Sequence, residues 1–191
     1  MKMEDLENLC RRLEHFETPL WAAQRILEKE RLTIRVLDPC CGSGILTLAA
    51  REKGYKCAAM DIHHWGFDGT YICDFLSESF LPDHMPEFSV FMNPPFSKAC
   101  EFVEKSLQAG AEKVLCFQRF AWLESARRRE FWDNAPLTKI YLCGDRAPSW
   151  RHDIPIEKRN STTPTAHAWF IFEKSFTKGS LPELHRLYKK D

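Results

Sequence analysis

Apolar residues recur at helical spacing over residues 4–14, where Leu6, Leu9, Cys10 and Leu13 share one side. The same pattern returns from Pro19 to about Lys29, with Leu20, Ala23, Ile26 and Leu27 facing inward. Thr18 stands where a helix cap is expected, and Pro19 suits the first turn. From there the period shortens. Ile34–Leu37, Lys56–Met60, Thr70–Cys73, Phe88–Met92, Lys113–Phe117, Lys139–Cys143 and Ala166–Glu173 are short, mostly apolar runs of the kind found in strands covered on both faces. Helical stretches separate several of them: Ile45–Lys53, ended by Gly54; Ser97–Gln108, ended by Gly110; and Glu124–Asp133. Strands alternating with helices predict an α/β domain with a mostly parallel sheet and helices on both faces.

The polar residues at the strand ends are not scattered. Asp38, Asp61, Asp74 and Asn93 close the first four predicted strands. Ligands of open parallel sheets bind beyond the carboxyl ends of the strands, so these four side chains converge on one crevice. Cys40, Gly42, Ser43 and Gly44 follow Asp38, and the two glycines allow a tight turn with exposed amides at a helix start. The turn lacks the Gly-Lys-Ser/Thr ending of a phosphate loop, which argues against ATP, and only part of a dinucleotide fingerprint is present. Asp61, 17 residues after Gly44, sits where a carboxylate accepts from both hydroxyls of a ribose. Asp74 is placed to accept from an adenine amino group, with Phe75 against the ring.

Asn93-Pro94-Pro95-Phe96 is the most specific feature of the chain. Two prolines cannot continue a strand ladder and lock an extended turn. The turn would fix the Asn93 amide and the Pro94 carbonyl as two acceptors, with Phe96 as a stacking platform. Pro94 has no amide hydrogen, so a substrate amine is expected to meet its carbonyl without a competing local donor. Such a pair suits transfer of a sulfonium methyl to a conjugated NH2 group. The acceptors bind its hydrogens and draw the nitrogen towards tetrahedral geometry, so catalysis is largely positioning and electrostatics.

Together these residues resemble the N6-adenine DNA methyltransferases, in particular the small phage-type proteins. The resemblance covers about residues 16–175 and implies a single Rossmann-like class I domain over 1–191 that binds S-adenosylmethionine. It implies that Thr18 helps hold the cofactor's methionine carboxylate, that Asp38 lies near its ammonium, and that Asp61 binds the ribose. It further assigns Asp74 and Phe75 to the adenine and Asn93, Pro94, Pro95 and Phe96 to catalysis. Residues Phe117 to Trp122 would line a pocket for a flipped base, with Phe120 or Trp150 as its second stacking face. Cys40 departs from the glycine common at its position, and no separate recognition domain is present. Recognition is therefore expected from the polar 144–164 segment, a partner subunit or a second copy.

That segment offers Arg146, Arg151, Lys158 and Arg159 for phosphates, and Ser149, Trp150, His152 and Asn160 for other contacts. Lys and Arg balance Asp and Glu over the whole chain at 27 each, yet residues 118–191 carry 14 basic against 9 acidic side chains. A basic second half fits a phosphate-bearing partner, with DNA the expected one. Within the same chemistry, an RNA adenine or guanine, a release-factor glutamine amide and cytosine N4 all present a planar NH2. A binding module without turnover is the alternative from a different class. Adjacent Cys40 and Cys41 suit neither a bridge nor a zinc knuckle, Cys57, Cys73, Cys116 and Cys143 read as buried thiols, and His63 and His64 lack further ligands, so no metal is expected. With no run of apolar residues long enough to span a bilayer and no secretory signal, a cytoplasmic location is the default.

Overall fold

The computed structural model describes residues 3–77, 86–159, 165–177 and 179–190. An amphipathic helix, α1 (Met3–Arg12), leads into a two-residue strand β1 (Phe16–Glu17) and helix α2 (Leu20–Lys29). The alternating part follows: β2 (Arg35–Asp38), α3 (Ile45–Glu52), β3 (Lys56–Asp61), β4 (Thr70–Ile72), β5 (Phe88–Met92), α4 (Ala99–Gln108) and β6 (Lys113–Arg119). Helix α5 (Arg129–Asn134), β7 (Leu137–Cys143), the short β8 (Trp150–Arg151), β9 (His167–Glu173) and β10 (Glu183–Leu187) complete the described chain.

Eight strands form one sheet in the order β10-β7-β9-β6-β5-β2-β3-β4. Only β9 runs antiparallel to its neighbours β6 and β7, so the sheet is mostly parallel, as the alternation predicts. Strand-by-strand alternation divides the core into two layers. Phe88, Val90 and Met92 of β5 and Phe170 and Phe172 of β9 pack with Phe102 and Val103 of α4 and Phe131 of α5. Phe91, Trp169 and Ile171 point the other way, onto Ala22, Ala23 and Ile26 of α2 and Leu46 and Ala49 of α3. Buried Trp169 also donates its indole N–H to the Ala22 carbonyl at 3.0 Å, which fixes α2 against β9.

Three expectations need correction. Residues 124–133 do not form one helix: Ser125 adopts φ 94°, and two short 3-10 turns precede α5. Thr18 does not cap α2; Pro19 occupies the cap position and no side chain bonds there. The strand β10 was not expected at all. Its Glu183, Leu184 and Arg186 are exposed and only Leu187 is buried, as befits the outer strand of a sheet. Cys57, Cys116 and Cys143 are buried, whereas Cys73 is half-buried and lies on a cavity wall. Among the described residues no helix is long and apolar enough to cross a membrane.

Candidate active site

From β2 the chain moves outward to β3 and β4, and from β5 it moves the other way to β6, so the winding reverses between β2 and β5. A crevice opens at such a reversal beyond the strand ends. A cavity of about 310 Å3 occupies it, lined by Cys40 to Ser43 after β2, Asp61, Cys73 and Asp74 after β3 and β4, and Asn93 and Pro95 after β5. The volume lies at the lower end of small-molecule sites, roughly 300–1,000 Å3.

The glycine turn is built as its sequence requires. Gly42 and Gly44 both have positive φ, 53° and 82°, and a Cβ on either would run into the ring of His15 or Phe67. Gly42 donates its amide to Asp61 Oδ2 at 2.9 Å, tying the turn to β3. Asp38 is fully buried beneath the turn and does not line the cavity; Thr47 donates to its Oδ2 at 2.9 Å, while Oδ1 has no partner among the described residues. Burial pushes its carboxyl up to about 7.

Asp61 is more occupied than its sequence position implies. Besides Gly42, its Oδ1 accepts from the His63 amide at 3.0 Å and from Trp65 Nε1 at 3.1 Å. Asp74 uses Oδ1 for the Leu76 amide at 3.0 Å. Phe75 reaches the cavity wall but is 2% exposed, stacked on Phe102 with centroids 5.4 Å apart. It is chiefly a core side chain.

Thr18 has the reverse character. It is 3% exposed, lines the cavity, and its hydroxyl has no hydrogen-bond partner among the described residues. A buried polar atom without a partner is uncommon and points to a group that arrives later. Beside it, Glu17 collects Ser43 Oγ at 3.2 Å, His152 Nδ1 at 2.7 Å and the Arg159 guanidinium. Burial alone would raise the Glu17 carboxyl, but the His152 and Arg159 bonds overcome it and hold it at about 2.

This knot redefines the 144–164 segment. Trp150 and Arg151 pair antiparallel with Glu17 and Phe16, and Ser149 donates to the Glu17 carbonyl at 2.9 Å. His152 stacks on His15 at 4.6 Å, and His15 in turn packs on Trp65. Arg151 is paired with Asp153 and Glu7, and Arg159 with Glu17, so neither stands as the unpaired phosphate contact expected of it. Lys158 and Arg146 are exposed; Asn160 lies outside the described residues. Its described part, residues 144–159, braces β1, whose Phe16 and Glu17 line the cavity.

The proline turn separates two cavities. Asn93 and Pro95 line the first; Phe96 lines a second, about 290 Å3, with Arg119, Trp150, Arg151, Thr165 and His167, and Phe16 lines both. Asn93 donates Nδ2 to the Phe16 carbonyl at 2.7 Å, so the amide oxygen is the end left for an incoming donor. Pro94 does have a competing local donor: buried Gln118 gives it an Nε2 hydrogen at 3.0 Å. The Arg119 guanidinium lies 4.1 Å from the Phe96 ring centroid, and Phe16 is tilted against the same ring at 5.1 Å. His167, stacked on Phe117, is held down to about 4 by burial, hence neutral. Of the two aromatic candidates for a second stacking face, Trp150 lines this cavity, whereas Phe120 packs half-buried against the core. Phe16, Trp65 and His167 were not singled out from the sequence. Gln118 and Arg119 fall within the Phe117 to Trp122 segment that the resemblance placed beside the base; of that segment Arg119 lines the second cavity, while Gln118 is buried against Pro94. Among the described residues no group of His, Cys, Asp and Glu is arranged to hold a metal ion.

No protein-family model matches the sequence, and no curated protein matches it. Solved structures do resemble it in fold. A type I restriction-modification system methyltransferase subunit from Streptococcus thermophilus superposes with a TM-score of 0.59 at 13% identity, over 85% of this chain and 46% of that one. A TehB-like SAM-dependent methyltransferase from Corynebacterium glutamicum gives 0.52 at 10% identity, over 91% and 98%. A dimethyladenosine transferase from Plasmodium falciparum gives 0.50 at 12%, over 83% and 62%. The architecture is the Rossmann-like class I methyltransferase fold.

Proposed function

We propose that this chain binds S-adenosylmethionine in the first cavity and methylates an exocyclic amino group presented from the second, the substrate being N6 of adenine in DNA. The observation that carries the reading is the placement of Asn93-Pro94-Pro95-Phe96 between two cavities that share Phe16, with Asn93 and Pro95 on one wall and Phe96 on the other. One of the fold neighbours named above is a dimethyladenosine transferase, a name that accords with an adenine acceptor.

The residues present fit the cofactor. Thr18 offers a buried hydroxyl with no partner among the described residues, the glycine turn leaves a close backbone approach, and Asp74 bonds the Leu76 amide through Oδ1, which leaves Oδ2 for a ligand. Asp61 would take a ribose hydroxyl on Oδ2 and exchange Trp65 for the other. When bound, S-adenosylmethionine supplies the electrophilic methyl. The protein's part is to hold the acceptor nitrogen: the Asn93 amide oxygen and the Pro94 carbonyl take its hydrogens and turn its lone pair away from the ring. Their grip strengthens as positive charge develops on nitrogen, and the proton leaves afterwards, so no strong base is needed. The Phe96–Arg119 stack opens or sandwiches the flipped base.

The test is to incubate the protein with methyl-labelled S-adenosylmethionine and duplex DNA, RNA or a glutamine-bearing release factor, then digest and identify the labelled species. Labelled N6-methyladenine in DNA is expected. Asn93→Ala should retain cofactor affinity within about twofold and lose on the order of a hundredfold to a thousandfold in turnover. Label in RNA, in cytosine or in glutamine would move the substrate assignment; cofactor binding with label in none would leave a binding module.

A further inference from the structure

The two acceptors of the proline turn are each held by a different element, and neither of those holds is visible in the motif itself. Asn93 is oriented by the backbone of β1, through the Phe16 carbonyl. Pro94 is oriented by Gln118, which stands at the carboxyl end of β6 next to β5, opposite Ala168 of β9. Gln118 is 1% exposed. Burying a primary amide on the face of β6 that Cys116 shares, opposite Ala168, is unfavourable unless its hydrogens are engaged, so a purely structural position here would more readily hold an apolar residue.

We propose that Gln118 is a positioning residue for the acceptor pair. This rests on the reading of the site given above. A carbonyl oxygen has two lone-pair directions. The Gln118 amide takes one of them, which leaves the other as the direction along which a substrate amine is received and prevents the Pro94–Pro95 peptide from rocking. Asn93 and Pro94 then present two oxygens at a fixed separation, suited to the two hydrogens of one NH2 group. A hydroxyl, with one hydrogen, would leave one of these oxygens unpaired. Gln118 thereby favours a primary amine as acceptor without touching it.

The chain offers an unusual means of seeing this contact. Pro94 and Pro95 are its only adjacent prolines, so protein labelled with 13C-carbonyl, 15N-proline carries a single directly bonded labelled carbon–nitrogen pair. Its carbon resonance reports the hydrogen bonding of the Pro94 carbonyl whether or not the protein turns over. In Gln118→Met, which keeps the length and loses the donor, that resonance should move upfield. Cofactor affinity should stay within about twofold, and the single-turnover rate at saturating DNA should fall on the order of tenfold to a hundredfold, as expected for a misplaced acceptor. In Gln118→Glu the rate should recover as pH is lowered, because only the protonated carboxyl can donate to Pro94. A merely structural role would not produce that profile.

An unmoved carbon resonance in Gln118→Met overturns the contact. A moved resonance with an unchanged rate overturns the role. If the wild-type protein transfers label to nothing, the methyltransferase reading fails and the positioning role falls with it, while the carbon resonance still decides separately whether Gln118 holds Pro94.

Discussion

At the scale of single residues, the most informative atom is one that bonds to nothing. The Thr18 hydroxyl is buried on the cavity wall with no partner among the described residues, and leaving such a group unsatisfied costs about 1–3 kcal/mol. Thr18→Val keeps the shape and deletes that burden. The protein without cofactor should therefore be as stable as the parent or more so, while affinity for S-adenosylmethionine falls roughly fivefold to tenfold with the lost hydrogen bond. Thermal unfolding and calorimetric titration of one preparation read both effects. Unchanged affinity would remove Thr18 from the cofactor site, whatever happened to stability. The sequence pointed to this residue for a cap, because Thr before Pro is a good helix start. It could not show that Pro19 would take the cap position and leave the hydroxyl over. Trp65 was missed for a related reason. An indole four residues after Asp61 carries no motif, and only the fold of the 62–69 loop brings its N–H to the carboxylate.

At the scale of elements, the strand ends were legible and the braces were not. Asp38, Asp61 and Asn93 were read correctly as closing successive strands, since a buried parallel strand shows as an apolar run and the first polar side chain after it marks the exit. β1 and β8 are two residues each, too short for any periodicity, and are recognisable only as partners. Their pairing changes what the 144–159 segment does. It holds Phe16, and Phe16 holds Asn93, so the segment acts on chemistry through a strand it braces as well as on anything it touches. Glu17→Gln tests this, because it removes the charge that His152 and Arg159 gather around while leaving Asn93 untouched. The single-turnover rate at saturating DNA should drop about tenfold, in line with a small displacement of an acceptor. If only DNA affinity changes, the segment faces substrate and nothing more. The same knot explains why basic residues counted from sequence overstate the positive field, for Arg151 and Arg159 are neutralised locally by Glu7, Asp153 and Glu17.

At the scale of the whole molecule, the pH dependence of stability follows from groups that the fold buries against their ordinary preference. Burial lowers His15 to about 3 and His167 to about 4 from an ordinary 6.5. The unfolded chain takes up these two protons near pH 6.5 and the folded chain does not. Both histidines therefore stabilise the fold fully above that pH and lose their contribution as pH falls towards 4. Asp38 works in the opposite sense. Its folded value, about 7, lies above the ordinary 3.8, so its contribution is present below 3.8 and is lost as pH rises to 7. Asp61, raised by burial, opposes the histidines in the same direction. Between pH 6 and 5 two histidines act against Asp38 and Asp61, which leaves the unfolded state at most about one proton ahead and a loss of at most about 1.4 kcal/mol per unit of acidification. Glu17, held at about 2, adds to the loss only below its ordinary 4.5. Asp38→Asn keeps an oxygen for Thr47 and removes the opposing titration, so its slope over the same interval should steepen by about one further proton, roughly another 1.4 kcal/mol per unit. Urea unfolding of both proteins at half-unit steps from pH 7 to 5, without cofactor, measures the two slopes. Parallel lines would show that Asp38 is ionised in the fold throughout, and that the glycine turn above it carries a charge rather than a neutral carboxyl.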